Sequence, residues 1–367
     1  MIFSIIIFLF TLLVLVVIHE FGHFIMAKKF KIKVEEFGFG IPPKLIGKKI
    51  GETLYSLNLL PIGGFVRLLG EDDLPAGRQE VDKKVLENPR SFASQNVWKR
   101  ILVVIAGVVM NLILAWVLFY TVIIAQNFRI ISPTIEQGVY IGRLEKDLPA
   151  QKAGIKVGDR LLSVDGRKVT NLEEARNLIK QKGETAVTLN LLDDKDKERI
   201  VEVFPKKVEE NTLIGVYFTP FFIKEYHSPT EKIFSGITYS YDLTKLTFIG
   251  LGRTISDMLN GNFGRASQQV SGPIGIAGMT NDILSNGWQA AIPYIWFVGV
   301  ISLTLSIFNV LPIPALDGGR LFFLVIEGLF KKKVKVEIER VIHQVGFALL
   351  LVLAFLITYS DISKMVR

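Results

Sequence analysis

Long apolar runs alternate along this chain with stretches of mixed polarity, and the two patterns predict two kinds of structure. Four runs, roughly 2–27, 101–125, 292–313 and 341–359, stay apolar over the length of about 20 residues that a helix needs to cross a hydrocarbon core. No charged side chain occurs from Met1 to Ile18, and the second run carries one polar amide, Asn111. Between the first two runs, Glu35–Gly40, Glu52–Asn58 and Gly63–Leu69 read as short strands separated by Pro42-Pro43, Gly51 and Pro61. The apolar residues Leu54, Leu57, Leu59, Leu60, Ile62, Phe65 and Val66 suit a sheet dipping into or lying on a membrane. An ordinary cytoplasmic hairpin fits equally well. Residues 71–97 are polar and are expected to form a mobile cytoplasmic segment.

Residues 128–222 follow a different pattern, with mixed charge, turn signals, a helical stretch at Leu172–Lys180 and an alternating strand at Ala186–Leu192. From 232 to 259, Phe234, Ile237, Tyr241, Phe248, Leu251, Ile255 and Leu259 recur at helical spacing among Lys232, Asp242, Arg253 and Asp257. This predicts an amphipathic helix, lying at a membrane interface or packed on the preceding domain. Gly272-Pro273-Ile274-Gly275 is expected to turn the chain back toward the membrane. Four parts result: 1–127 with two spans, 128–222 as a separate domain, 223–290 as amphipathic linker, and 291–367 with two further spans.

Composition agrees with a polytopic membrane protein carrying a water-facing domain. Half of the 367 residues are hydrophobic, yet 21% are charged. The net charge of +8 is explained by loop Lys and Arg, so no nucleic-acid partner is expected. Without cysteine there is neither a disulfide nor a thiolate metal ligand. No basic residue precedes the first run and no small-residue cleavage pattern follows it, so it reads as a retained span. Lys28, Lys29, Lys31 and Lys33 follow the first run, Lys99 and Arg100 precede the second, and Lys331, Lys332, Lys333 and Lys335 separate the third from the fourth. The positive-inside rule places these flanks in the cytoplasm, with the N-terminus and 126–290 outside.

The chemistry begins at His19-Glu20-Phe21-Gly22-His23, at the inner end of the first run. Ionisable groups on a spanning helix are costly and mark function. At i and i+4 the two imidazoles share one helix face, a spacing that suits two ligands of one Zn²⁺ with Glu20 as general base. A catalytic zinc takes a third protein ligand and keeps one position open. His227 falls on the other side of the membrane, and His343, one turn into the fourth run, suits a structural or interfacial role. Asp317 is the stronger candidate, in Asn309-Val310-Leu311-Pro312-Ile313-Pro314-Ala315-Leu316-Asp317-Gly318-Gly319 at the cytoplasmic end of the third run. Pro312 and Pro314 break the helix there, and Gly318-Gly319 permits close backbone approach.

These motifs resemble the site-2 protease family, of the bacterial regulator of sigma-E protease type. The likeness spans nearly the whole chain, including Gly38-Phe39-Gly40, Pro61-Ile62-Gly63-Gly64-Phe65-Val66 and the stretch from Arg100 to Ala106-Gly107. Val108 stands where the family often has proline. The order from Pro149-Ala150 through Ala153-Gly154 and Val157-Gly158-Asp159 to Asp165-Gly166 resembles a bacterial PDZ domain. There is room for one such domain, where many relatives carry two. The resemblance implies zinc, cleavage of single-pass membrane proteins within the bilayer, and an outward PDZ region that restricts access. PDZ domains also bind extended peptides at a sheet edge, so a peptide ligand and a steric plug both remain open.

The expected mechanism gives His19, His23 and Asp317 to the metal and proton transfer to Glu20. Asn309 would donate to the substrate backbone or the oxyanion, or else bond a neighbouring helix. Asn111 is expected to make a helix–helix hydrogen bond. The strand-like loop 52–68 would hold substrate backbone once its helix is unwound. A metal transporter or a noncatalytic PDZ scaffold would share parts of this pattern. The first predicts inverted repeats, which are not visible, and the second gives Glu20 no task. A protease of soluble substrates would need only one span.

Overall fold

The computed structural model describes residues 2–71, 87–132, 138–145, 148–193, 197–208, 211–219, 222–264, 267, 270–332, 334 and 336–366. Most of the polar segment expected at 71–97 therefore lies outside the described residues. The chain divides into two compact units, one of Met1–Phe119 with Gly250–Arg367 and one of Tyr120–Ile249.

In the first unit, helix α1 (Ile2–Lys29) leads into strands β1 (Val34–Ile50) and β2 (Thr53–Leu68), and helix α2 (Val97–Ala125) follows. Both strands bend and are used twice. Residues 36–39 pair in opposite sense with 64–67 and in step with 54–57, while 44–50 pair with 53–58. The sheet thus has four runs, with 64–68 and 44–50 outermost. The run 41–50 contains Pro42-Pro43, expected from sequence to separate strands. Proline is tolerated on an edge strand, whose outward side needs no N–H. Residues 41–50 are all exposed, and Lys48 and Lys49 add the charge that blunts an edge.

Among the described residues, four helices are long and apolar enough to cross a membrane, over Phe3–Lys29, Val97–Ala125, Gly287–Val310 and Glu337–Ser363. Helices α1 and α2 approach closely because Gly22 has no side chain; a Cβ there would collide with the Ala106 carbonyl. The third spanning helix, within Ala291–Val310, is joined to α2 by polar bonds. Ser302 Oγ donates to the Asn111 carbonyl at 2.8 Å and Ser306 Oγ to the Val108 carbonyl at 3.0 Å, both serines buried.

That helix stops at Val310, short of the predicted 313. The chain then runs extended and turns into a further helix, Asp317–Phe330, which the apolar pattern did not suggest. Its glycine pair, expected to permit close backbone approach, lies in the first helical turn. A Cβ on Gly318 would strike the Leu311 backbone, so the close approach requires glycine. Two ion pairs fix this helix. Arg320 Nη1 meets Glu71 Oε1 at 2.8 Å, just beyond β2, and Arg100 at the start of α2 pairs with Glu327. The last helix, Val336–Val366, carries Asp361, whose Oδ2 accepts the Gly272 and Gly275 N–H groups at 2.9 and 2.8 Å. Those amides open the helix Pro273–Leu284, whose own N-cap, Gly272, has no side chain to offer.

The second unit holds β3 (Arg129–Ser132), β4 (Val139–Leu144), β5 (Arg160–Val164), β6 (Arg167–Lys168), β7 (Val187–Leu192), β8 (Glu198–Val203), β9 (Lys206–Val208), β10 (Asn211–Leu213), β11 (Val216–Thr219) and β12 (Phe222–Glu225), with its main sheet in the order β11-β4-β5-β7-β8. Its core is aliphatic: Val187, Leu189 and Leu191 alternate inward on β7 and meet Ala175 and Ile179 of the helix Leu172–Gln181. Asn171 caps that helix by accepting the Glu174 N–H at 2.8 Å. The predicted amphipathic helix spans Pro229–Leu259. Phe234, Ile237, Tyr241, Phe248, Ile255 and Leu259 are exposed, whereas Ser235, Tyr239, Ser240 and Leu243 are buried.

Candidate metal centre

The predicted site residues converge in the first unit. His19 and His23 lie one turn apart on α1 with their rings edge to face, and Asp317 arrives at the N-terminus of its helix from 298 residues on. His19 Nε2 lies 2.8 Å from Asp317 Oδ2, His23 Nε2 lies 3.3 Å from the same oxygen, and the two Nε2 atoms are 3.2 Å apart. Ligands at about 2.0–2.1 Å from zinc in a tetrahedron stand about 3.3 Å from one another, so two edges of this triangle match and the His19–Asp317 edge, at hydrogen-bond length, would open by about 0.5 Å around an ion. Among the described residues, these three form the group of His and carboxylate side chains gathered closely enough to hold a metal ion.

Space and orientation fit the same ion. Gly107 of α2 faces the triangle. A Cβ on Gly107 would meet His23 Nε2 and would come within 2.8 Å of His19 Cε1. The bare backbone therefore leaves open the volume that a metal and its fourth ligand require. The His23 Nδ1–H donates to the Val103 carbonyl at 2.8 Å, which turns the Nε2 lone pair toward the other ligands. His19 Nδ1 is buried without a hydrogen-bond partner.

Glu20 lies beside the triangle and is held by the sheet. The Val66 N–H, on the outer run of β2, donates to Glu20 Oε2 at 3.0 Å. A cavity of about 190 Å³ opens here, lined by Val16, His19, Glu20, Asn111, Leu305, Asn309, Ala315, Leu316 and Asp317. All five predicted site residues except His23 line it, and His23 completes the ligand triangle behind. The two histidines set aside remain apart. His227 is 75% exposed, and His343 Nδ1 accepts the Ala315 N–H at 2.9 Å. That bond steadies the loop before Asp317, where Ala315 holds a left-handed φ of 73°.

The sequence reading of Asn111 needs correction. Its side chain makes no helix–helix bond: Oδ1 and Nδ2 are both buried without a partner. The bonds between helices at this level come from Ser302 and Ser306 to backbone carbonyls. Sequence reasoning also passed over Val66 and Gly107 as site residues. Gly107 stands four residues before Asn111, one helical turn on the same face, and that spacing was the available signal.

The arrangement pairs a three-ligand metal triangle with an adjacent carboxylate, which suits metal-assisted hydrolysis. Comparisons with known proteins point the same way. The model of peptidase family M50 matches residues 7–353. A Clostridium acetobutylicum protein named as a candidate zinc metalloprotease is 36% identical over 98% of this chain and 97% of its own length. The zinc metalloprotease RasP of Geobacillus kaustophilus is 30% identical over 98% of both chains. The regulator of sigma-W protease RasP of Bacillus subtilis is 28% identical over 96% of both. Among solved structures, a PDZ domain of an SdrC-like protein from Listeria monocytogenes covers 24% of this chain and 93% of its own, at 21% identity and a TM-score of 0.21.

Proposed function

Because the chain belongs to peptidase family M50 and is a zinc metalloprotease of the membrane, we propose that His19, His23 and Asp317 hold its zinc and that Glu20 is the general base. The observation that carries this reading is the ligand triangle closed against the bare face of Gly107, with Glu20 beside it. When bound, zinc supplies a Lewis acid that activates water and polarises the scissile carbonyl.

The protein's own groups do the rest. Val66 fixes one Glu20 oxygen and leaves the carboxylate to take a proton from the attacking water and deliver it to the leaving amine nitrogen. Asn309 donates its amide N–H to the substrate carbonyl oxygen as negative charge develops there. A transmembrane substrate hides its peptide groups in i to i−4 hydrogen bonds and must unwind before reaction. The outer run 64–68 of the sheet, already joined to Glu20, is placed to pair with the extended backbone.

The substrates in this reading are single-pass membrane proteins, such as an anti-sigma factor or a signal-peptide remnant. The protein sits in the cell membrane with the lysine-rich flanks and the metal centre toward the cytoplasm and the N-terminus outside. Residues 128–222 form an outward PDZ domain that limits access or takes a peptide ligand. A metal transporter predicts inverted repeats, which are not visible in the sequence, and a scaffold would give Glu20 no role. The test is Glu20→Gln in proteoliposomes with a single-pass substrate. Zinc content should remain at one ion per chain while cleavage falls by at least about a thousandfold; undiminished cleavage sinks the assignment.

A further inference from the structure

The side-chain amide of Asn111 is the one polar side chain lining the reaction cavity that the proposed mechanism leaves unused. It is 1% exposed, and neither its oxygen nor its nitrogen has a hydrogen-bond partner. A buried polar group in that state costs stability, and an unpaired amide inside a membrane helix needs an explanation. Packing does not supply one, because Ser302 and Ser306 already join the two helices through backbone carbonyls, one of them that of Asn111 itself. Metal binding does not require it either, since the triangle is complete without an amide.

Position does supply an explanation. Gly107 and Asn111 lie at i and i+4 on α2, so the face that leaves room for the metal presents the amide one turn further along. The same cavity is lined by Glu20 and Asp317. An amide offers one acceptor and two donors. A peptide group of an unwound helix offers the complementary N–H and C=O, both just freed from i to i−4 bonds.

We propose that Asn111 is a substrate-binding residue whose amide pairs with one peptide group of the unwound substrate next to the scissile bond. This rests on the metal-site reading above. The amide takes over hydrogen bonds that the substrate gives up on leaving its helix, and so holds the extended backbone against Glu20 and the metal. The pairing makes no use of substrate side chains, and it therefore suits varied sequences.

The test uses the full-length protein in proteoliposomes, with a single-pass membrane substrate, zinc analysis and thermal unfolding. Asn111→Leu keeps the side-chain size and removes the polar atoms; Asn111→Ala removes the bulk as well. Both should lose about a hundredfold in kcat/KM, as expected for loss of one positioned hydrogen-bonding group in an active site. Zinc content and Tm should hold, with Tm of Asn111→Leu equal or higher. Asn111→Gln should recover at least tenfold of the loss. Wild-type kcat/KM in both Asn111→Leu and Asn111→Ala overturns the proposal, and so does a Tm that falls in step with activity without recovery by Gln. Glu20→Gln measured alongside separates the two claims. If it cleaves fully, the site reading fails and the anchor with it. If it is inactive while Asn111→Leu and Asn111→Ala are both fully active, the anchor alone fails.

Discussion

The two units of this chain bury different things. In residues 120–249 the sheet interior is Val, Ile, Leu and Ala, and the buried polar side chains Ser132, Asp159, Ser235 and Ser240 lie outside that aliphatic cluster. In the other unit His19, Thr53, Ser56, Asn58, Arg100, Asn111, Ser302 and Ser306 are buried. Water drives the first arrangement, since each inward aliphatic residue gains by leaving it. Lipid gives no such drive between helices, so close glycine contacts and hydrogen bonds determine which faces meet. The unit with the weaker hydrophobic incentive to pack is also the one that gathers the ionisable groups of the proposed metal centre.

The sharpest way to break this contrast is Gly107→Val. Its side chain would occupy the space before both histidines, so zinc content and proteolysis should both fall below detection while the sheet of the second unit keeps its hydrogen-exchange protection. Retention of stoichiometric zinc would show that the triangle does not need the bare backbone. In the second unit, Leu189→Ala should cost about 2–5 kcal/mol by cavity formation, read as lost exchange protection across β7 and β8. Zinc content should not change, and a parallel loss of zinc would mean that the two units do not fold independently.

The smallest effect concerns Asp165. The Thr188 N–H and the Lys182 ammonium hold its carboxyl below the ordinary carboxylate range. A folded-state pKa below the unfolded one gives stability that is complete above the unfolded value, near pH 4, and is lost as pH falls through the folded value. Exchange protection of β7 should therefore weaken on acidification below about pH 4. Asp165→Asn should flatten that dependence at a cost of about 1 kcal/mol or less at neutral pH. An unchanged acid profile in Asp165→Asn would place the sensitivity elsewhere.

Legibility in the sequence followed the same division. Alternation on 186–192 and the helix at 172–180 were readable because a half-buried strand and an amphipathic helix write their periods into the chain. His19, Glu20 and His23 were readable as charges in an apolar run, and Asp317 as a carboxylate beside two helix-breaking prolines. The helix Asp317–Phe330 escaped because the two prolines just before it mark a break and a glycine pair is a poor helix former. The close approach expected of Gly318-Gly319 is present, against the Leu311 backbone. The run 41–50 escaped because a proline pair argues against a strand until the strand is known to be an edge. Gly107 and Asn111 escaped for a deeper reason. On a helix apolar all round, periodicity does not mark the inward face, so a missing side chain and an unpaired amide gain meaning only once their neighbours are in place.

The ion pair between Arg320 and Glu71 has a consequence for tolerance. Arg320 lies one turn beyond Asp317, and Glu71 lies just past the strand whose Val66 amide holds Glu20. The proposed ligand and the proposed base reach the site along separate stretches of chain, and small displacements in each would otherwise add. Tying the two stretches together makes a closed frame in which they shift as one piece. Catalytic groups need placement to within about 0.5 Å, and a closed frame meets that demand with fewer rigid parts than two free arms would.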